Sequence, residues 1–432
     1  MKINVFWFRR DLRTEDNTAL SNALRSGLPV LPVFIADTNI TGELPADDSR
    51  ISFIHQRLSS IDKSLRNSGS SLYVLRGDPV AKWKELISLF DIGSVYINKD
   101  YEPYAIDRDN AVEAVLKKQG IALLRYKDQV ILEENEVMKS DGSPYTVFTP
   151  YRNQWMKKLE QVRPDLSGNT PAPTSEYFKC SYPFPKLEDI GFRQGSLKVR
   201  PYDLQAIPGY HKFRDDPQAD MTTHLSPHLR FGTVSIRNLV RTGLEQNMTF
   251  LNELIWREFF MQILFHFPNV VTGNFKPAYD DILWRNDEND FQRWCRGETG
   301  YPIVDAGMRQ LNSTGWMHNR VRMITSGFLC KHLLIDWRWG EAYFARQLLD
   351  YELSSNNGNW QWAAGTGCDA APYFRIFNPE TQQKKFDPKE VYIRRWVKDY
   401  GKPGYPSKMV AHEFARERAL DAYKTGMKRK LK

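Results

Sequence analysis

Ile3-Asn4-Val5-Phe6-Trp7-Phe8-Arg9-Arg10-Asp11-Leu12-Arg13 decides how the amino-terminal part of this chain folds. Its first half is an unbroken β-branched and aromatic run, the pattern of a strand buried on both faces of a parallel sheet. Its second half is a turn without glycine. Comparable strand patterns recur at 29–37, 71–78, 94–101 and 121–132, with amphipathic stretches at 16–26, 50–67, 79–90 and 105–118 between them. This alternation predicts a doubly wound, Rossmann-like parallel α/β domain over residues 1–132. A dinucleotide pyrophosphate needs glycines in the turn after the first strand, so none is expected to sit there in the usual way. A Gly-x-Gly-x-x-Ala match at Gly365–Ala370 follows no strand and is discounted.

Six prolines between Pro164 and Pro201, including Pro183-Phe184-Pro185, mark residues 133–201 as an extended interdomain linker. Beyond it the period becomes helical. Apolar residues recur at helix spacing over 251–267, 299–313, 316–334 and 339–353, which predicts an all-helical domain over 202–432.

A chain of 432 residues, 41% hydrophobic and 26% charged, fits a soluble protein of two or three domains. Its four cysteines include no Cys-x-x-Cys pair, so reduced thiols and no metal site are expected. No secretory signal or membrane-length apolar run is read, and a cytoplasmic location is expected. Of the net charge of +8, residues 411–432 carry +4 through seven Lys/Arg against three Asp/Glu. Charge therefore permits a phosphate-bearing partner without demanding one. The Lys428–Lys432 ending reads as a solvated terminus.

Seven of the twelve tryptophans fall between Trp284 and Trp362, interleaved with amides and guanidinium groups. On a helix over 251–267, Glu253, Trp256, Arg257 and Phe260 fall at i, i+3, i+4 and i+7 and share a face. After Gly315, Trp316, Asn319, Arg320 and Met323 repeat that spacing. A solvated face would not carry Trp, Phe or Met, and a dry core face would not carry unpaired Glu, Arg or Asn. One such face would suit a buried polar network. Two of them, with Trp360 and Trp362, favour a pocket for a nucleobase edge and a phosphate. The stretches 210–214 and 222–226 offer hydroxyls near helix starts, where they can cap a helix or hold an anion; both uses stay open.

Trp7-Phe8-Arg9-Arg10-Asp11-Leu12-Arg13, Asn252-Glu253-Leu254-Ile255-Trp256-Arg257-Glu258-Phe259, Gly300-Tyr301-Pro302-Ile303-Val304-Asp305-Ala306, 316–323, 356–364 and Tyr373-Phe374-Arg375-Ile376-Phe377-Asn378-Pro379 carry a family resemblance. In them the chain resembles the photolyase/cryptochrome flavoproteins, and among these the class I cyclobutane pyrimidine dimer photolyases. The resemblance implies a light-driven DNA repair lyase with FAD in the helical domain. Its flavin contacts would fall on Tyr210, Thr222, Thr223, Leu225, Ser226, Arg322, Asp350, Glu352 and Asn356. The family usually has Asp at the position of Glu352, which shifts that carboxylate by one methylene. Asn356 would sit beside the flavin N5 and add no negative charge near a reduced, anionic ring. Plant cryptochromes place Asp there. Six-four photolyases place His at the positions of Asn319 and Met323, so this pair points to cyclobutane dimers.

The resemblance further implies a lesion flipped out of the duplex into the pocket. Trp256 and Trp362 would cradle the pyrimidines, Glu253 and Asn319 would bond their edges, and Met323 would pack beside them. Arg214, Arg257, Arg320 and Arg375 would meet phosphates. Trp360, Trp337 and Trp284 align with the family's electron-carrying tryptophans. Glu102 matches a contact of an antenna pigment in the first domain. Val271-Thr272 replaces the Cys-Lys pair of folate-binding members, which disfavours folate and leaves a deazaflavin, a second flavin or no antenna open. The partner is ultraviolet-damaged DNA, met by a monomer that is nucleoid-associated if the source is prokaryotic. A cryptochrome-type photoreceptor is the nearest alternative, and a non-enzymatic nucleic-acid-binding protein the more distant one.

Overall fold

The computed structural model describes residues 1–168 and 176–429, so Pro171 and Pro173 of the proline-rich stretch and Lys430–Lys432 lie outside the described residues. The chain folds as two compact units. One comprises Met1–Glu136, Lys158–Tyr202 and His224–Glu245; the other comprises Val137–Lys157, Asp203–Thr223 and Gln246–Lys432.

In the first unit, β1 (Ile3–Phe8), β2 (Val30–Asp37), β3 (Tyr73–Gly77), β4 (Ile92–Asn98) and β5 (Ala122–Tyr126) form one parallel sheet in the order β3-β2-β1-β4-β5. Helices α1 (Thr18–Leu24), α2 (Ser49–Arg66), α3 (Pro79–Leu89) and α4 (Pro103–Lys117) are the crossovers. β1 is central and wholly buried. Its alternate residues serve two cores: Val5 and Trp7 pack with Trp83, Leu86, Val112 and Leu116 of α3 and α4. Phe6 and Phe8 pack with Leu20, Leu24, Leu58 and Ile61 of α1 and α2. This is the doubly wound arrangement, and strand order reverses at β1, where such sheets open a crevice.

The glycine-free turn after β1 is locked by charge. Arg9 bonds Asp109 and the Asn98 carbonyl, Arg10 reaches Glu102 at 2.8 Å, and Arg13 reaches Asp128 at 2.6 Å. Gly232, at φ +62°, lies so close that a Cβ would run into the Arg10 carbonyl.

The second unit is helical. Its core collects Trp294, Trp337 and Trp360 with Phe328, Phe344 and Tyr392, and Trp284 and Trp339 pack against it. The helices that matter for the site are α6 (Met248–His266), α7 (Pro302–Thr314), α8 (Asn319–Gly327), α9 (Trp337–Gln347) and α10 (Leu353–Ala364); α11 (His412–Arg429) is the last described. Among the described residues no helix is long and apolar enough to cross a membrane.

Two expectations change, and a stretch given no element above proves to be helical. First, the stretch 133–201 contains a helix, α5 (Phe148–Val162), whose residues 148–157 belong to the second unit and whose remainder belongs to the first. The signal was there: Tyr151, Trp155 and Leu159, spaced by four, are all buried. Second, 316–334 is not one helix. The His318 ring accepts the Arg320 N–H at 3.2 Å and caps α8, leaving Trp316 ahead of it, and Phe328–His332 continues as a π-helical turn. The Asn- and Gly-rich 356–362, given no element by periodicity, is helical. Asn357 and Gln361 donate to the Val270 carbonyl at 2.9 and 3.0 Å, and Gly365, at φ +86°, ends the helix.

Candidate active site

Three helices of the second unit supply ten of the residues singled out. Asn319, Arg322 and Met323 of α8 and Asn356, Trp360 and Trp362 of α10 line one cavity. α6 carries Glu253, Trp256 and Arg257. Gly340, one turn into α9, leaves room for the Trp360 ring, which a Cβ there would overlap.

The charged groups are paired among themselves. Arg214 meets Glu253 at 2.5 Å, Arg257 meets Glu352 at 3.2 Å, and Arg320 meets Asp215 at 2.7 Å. Burial pushes the Glu253 carboxyl up, and Arg214 pulls against it. Arg320 also lies 4.5 Å from the Phe386 ring centre. Arg375 is exposed and lies over Phe377. Arg322 bonds Asp350 at 2.8 Å, with the Asp350 side chain only 2% exposed, and also donates to the Met317 carbonyl.

FAD requires donors and acceptors kept in readiness. Thr222 Oγ1 and Ser354 Oγ are buried with no hydrogen-bond partner, and Thr223 is buried beside the former in sequence. Tyr210 is half-buried, packed edge-on to Phe250. With the Arg322–Asp350 pair these hydroxyls fit a polar, phosphate-bearing ligand. Leu225 and Ser226 belong to the other unit, where Ser226 opens a short helix, Ser226–Arg230.

Sequence reasoning missed Glu341. Asn356 donates its amide N–H to Glu341 Oε1 at 2.8 Å and to the Glu341 carbonyl at 3.2 Å. The amide nitrogen is thereby turned toward Glu341 and the Asn356 oxygen away from it. Burial pushes the Glu341 carboxyl up, and the Asn356 bond opposes this. The one carboxylate on the helix Trp337–Gln347, among four aromatic residues, was the available signal. A double-mutant cycle of Glu341→Ala with Asn356→Ala should give a coupling energy of about 1.5–3 kcal/mol in urea unfolding, as for a hydrogen bond to a charged group. Additive effects would show that the carboxylate does not hold the amide.

The first unit has its own cavity, of about 160 Å³, at the carboxyl ends of its strands. Trp7, Ile35, Asp37, Asp100, Glu102, Tyr104 and Arg108 are among its walls. Glu102 is held by Arg10 and Arg230, each at 2.8 Å. Burial alone would raise the Asp100 carboxyl, but Arg10, Arg230, Arg9 and Arg108 bring it down to about 2. Burial and a 2.6 Å bond to Asp37 push the Tyr104 phenol up to about 12. The Trp7 indole N–H is buried without a partner. An apolar cavity with one unpaired donor and several fixed charges suits a second flat, polar-edged ligand.

Residues 4–174 match the family model for DNA photolyase, and residues 250–403 match that for the FAD binding domain of DNA photolyase. A deoxyribodipyrimidine photo-lyase from Alkalihalophilus pseudofirmus is 38% identical over 91% of this chain and 87% of its own. The crystal structure of a class III photolyase from Agrobacterium tumefaciens superposes with a TM-score of 0.86 at 35% identity, covering 99% of this chain and 98% of that one. An archaeal photolyase from Sulfolobus tokodaii, solved with two FAD molecules, gives 0.84 at 34% identity over 98% of this chain and all of its own. With both units matched and full-length relatives well above 30% identity, this chain belongs to the DNA photolyase family.

Proposed function

We propose that this protein is a light-dependent DNA repair enzyme that splits cyclobutane pyrimidine dimers, acting as a monomer in the cytoplasm. The observation that carries the reading is the single cavity shared by Asn319, Met323, Asn356, Trp360 and Trp362. FAD, when bound, supplies the light absorption and one-electron chemistry. Thr222, Thr223, Arg322, Asp350 and Asn356 hold and orient it, with Tyr210 and Glu352 flanking. Asn319 and Met323 offer no proton relay, which suits a ring opening that needs an electron only. Trp256 and Trp362 wall the lesion, with stacking worth about 1–3 kcal/mol per base. Glu253 bonds a base edge, kept in place by Arg214. The cavity of the first unit, with Glu102 on its wall, takes a second chromophore.

The test is direct. Reduced, flavin-loaded protein under blue light should restore the absorbance of an ultraviolet-damaged thymine oligomer; dimers left intact would refute the reading.

The four arginines divide by their surroundings. Arg375 is exposed and free to neutralise a phosphate, whereas the buried Arg257 guanidinium already faces Glu352. Arg375→Ala should therefore reduce the slope of log affinity against log salt by about 0.9, as loss of one phosphate contact does. Arg257→Ala should leave that slope unchanged. Equal effects in salt titrations would place both on the DNA backbone.

A further inference from the structure

The Trp256 indole does not stand alone. Phe148 lies parallel to it, ring centres 3.6 Å apart and planes 7° from coincidence. Phe260 stacks on it at 5.4 Å, and Phe259 meets its edge at 5.6 Å and 81°. The face and edge contacts together remove the freedom of the indole to turn about its side-chain torsions.

Phe148 is itself fixed, at the first position of α5. Its backbone N–H donates to Asp369 Oδ2 at 3.0 Å, and Asp369 lies in the loop that follows α10 and Trp362. Further along α5, Arg152 donates to Asn252 at 3.1 Å, and the fully buried Trp155 donates its indole N–H to Glu258 at 2.7 Å. Both acceptors are on α6, flanking Trp256 in sequence. The start of α5 is thus pinned to the helix carrying one tryptophan wall and to the loop behind the other.

We propose that Phe148 is a positioning residue for lesion recognition, setting the plane of Trp256 and, through Asp369, its spacing from Trp362. This rests on the reading of Trp256 as a wall of the lesion pocket. Undamaged DNA, held by backbone contacts, has no use for that plane; a flipped dimer does. The signature of the role is therefore a loss of discrimination, not of binding as such.

The experiment compares wild type, Phe148→Ala, Phe148→Leu, Phe148→Tyr and Trp256→Ala as flavin-loaded full-length proteins. Each is titrated with an oligomer carrying one thymine dimer and with its undamaged counterpart, and melting temperature and flavin absorbance are recorded alongside. Phe148→Ala should bind the dimer oligomer about tenfold more weakly and the undamaged oligomer within about twofold of wild type, the scale of one aromatic pair. Phe148→Tyr should restore discrimination, and Phe148→Leu, which keeps apolar volume without a flat face, should fall between and covers the case in which the alanine variant does not fold.

Wild-type discrimination in Phe148→Ala, with loss in Trp256→Ala, would overturn the positioning role alone. Equal weakening for both oligomers, tracking a lowered melting temperature, would reduce Phe148 to packing and overturn it too. Tighter dimer binding by Phe148→Ala would mean that the ring occupies the lesion's seat instead of shaping it. Wild-type discrimination in Trp256→Ala would remove the lesion wall itself, a failure of the underlying reading that the other outcomes do not mimic.

Discussion

Replacing Trp337 by Phe is expected to abolish light-driven re-reduction of the oxidised flavin while leaving repair by chemically pre-reduced protein intact. Trp337 is 1% exposed and belongs to the same core as Trp360, with Trp284 packed at its margin. Phenylalanine keeps most of the volume but is far harder to oxidise than indole, so it interrupts a relay without opening a large cavity. It also removes the donor that Asn274 Oδ1 accepts from at 2.9 Å, at a cost of about 1–3 kcal/mol. Melting temperature therefore has to be followed with the photochemistry. The readout is bleaching of the yellow absorbance under blue light with an added thiol reductant. A competing route is visible: Trp294, fully buried, meets the Trp360 ring edge-on at 6.1 Å. If Trp337→Phe bleaches normally and Trp294→Phe does not, the relay runs through Trp294. If Trp337→Phe loses pre-reduced repair as well, Trp337 is structural.

Asp350→Ala should give the second large effect, on stability and flavin retention together. Its carboxylate is almost inaccessible and pairs with Arg322 at 2.8 Å. Removing the buried carboxylate leaves the partly exposed Arg322 guanidinium with only the Met317 carbonyl, at a cost of about 1–3 kcal/mol. For a cooperative unit of this size the melting temperature should drop by about 5 °C. Arg322 lines the cavity with Asn356, so the purified variant should also be largely colourless. Asp350→Asn retains a hydrogen-bond acceptor and should lose less of both. A variant that melts as wild type and stays yellow would show that the pair neither braces the helices nor serves the cofactor.

The two consequences have one origin, because Arg322 of α8 both pairs with Asp350, in the loop before α10, and lines the cavity. The same economy holds at Asn356, whose amide is oriented by Glu341. Glu253 is likewise held, by Arg214, and the proposed contact to a base edge would use the same carboxylate.

Much of this was legible along the chain. Runs of β-branched and aromatic residues separated by amphipathic helices dictate the parallel sheet, since its inner strands β1 and β2 are buried on both faces and the pattern is local. The turn after β1, which lacks the glycines of a phosphate cradle, is filled by arginine–carboxylate pairs. The mixed apolar and polar face of α6 and the Asn319, Arg320 and Met323 face of α8 follow from helical spacing alone, while Trp316 lies ahead of α8.

What the chain order could not reveal depends on partners distant in sequence. The 356–362 stretch is built of poor helix formers, and it is helical because Asn357 and Gln361 find carbonyls of the 270–273 turn. The phosphate-reading role assigned to Arg257 could not be weighed until Glu352 was found opposite it. Phe148, in a stretch whose prolines predict a linker, owes its proposed role to lying flat on Trp256. Periodicity reports which face a side chain shows; only the packed structure decides what that face meets, because pairing and stacking energies depend on distances that no local pattern encodes.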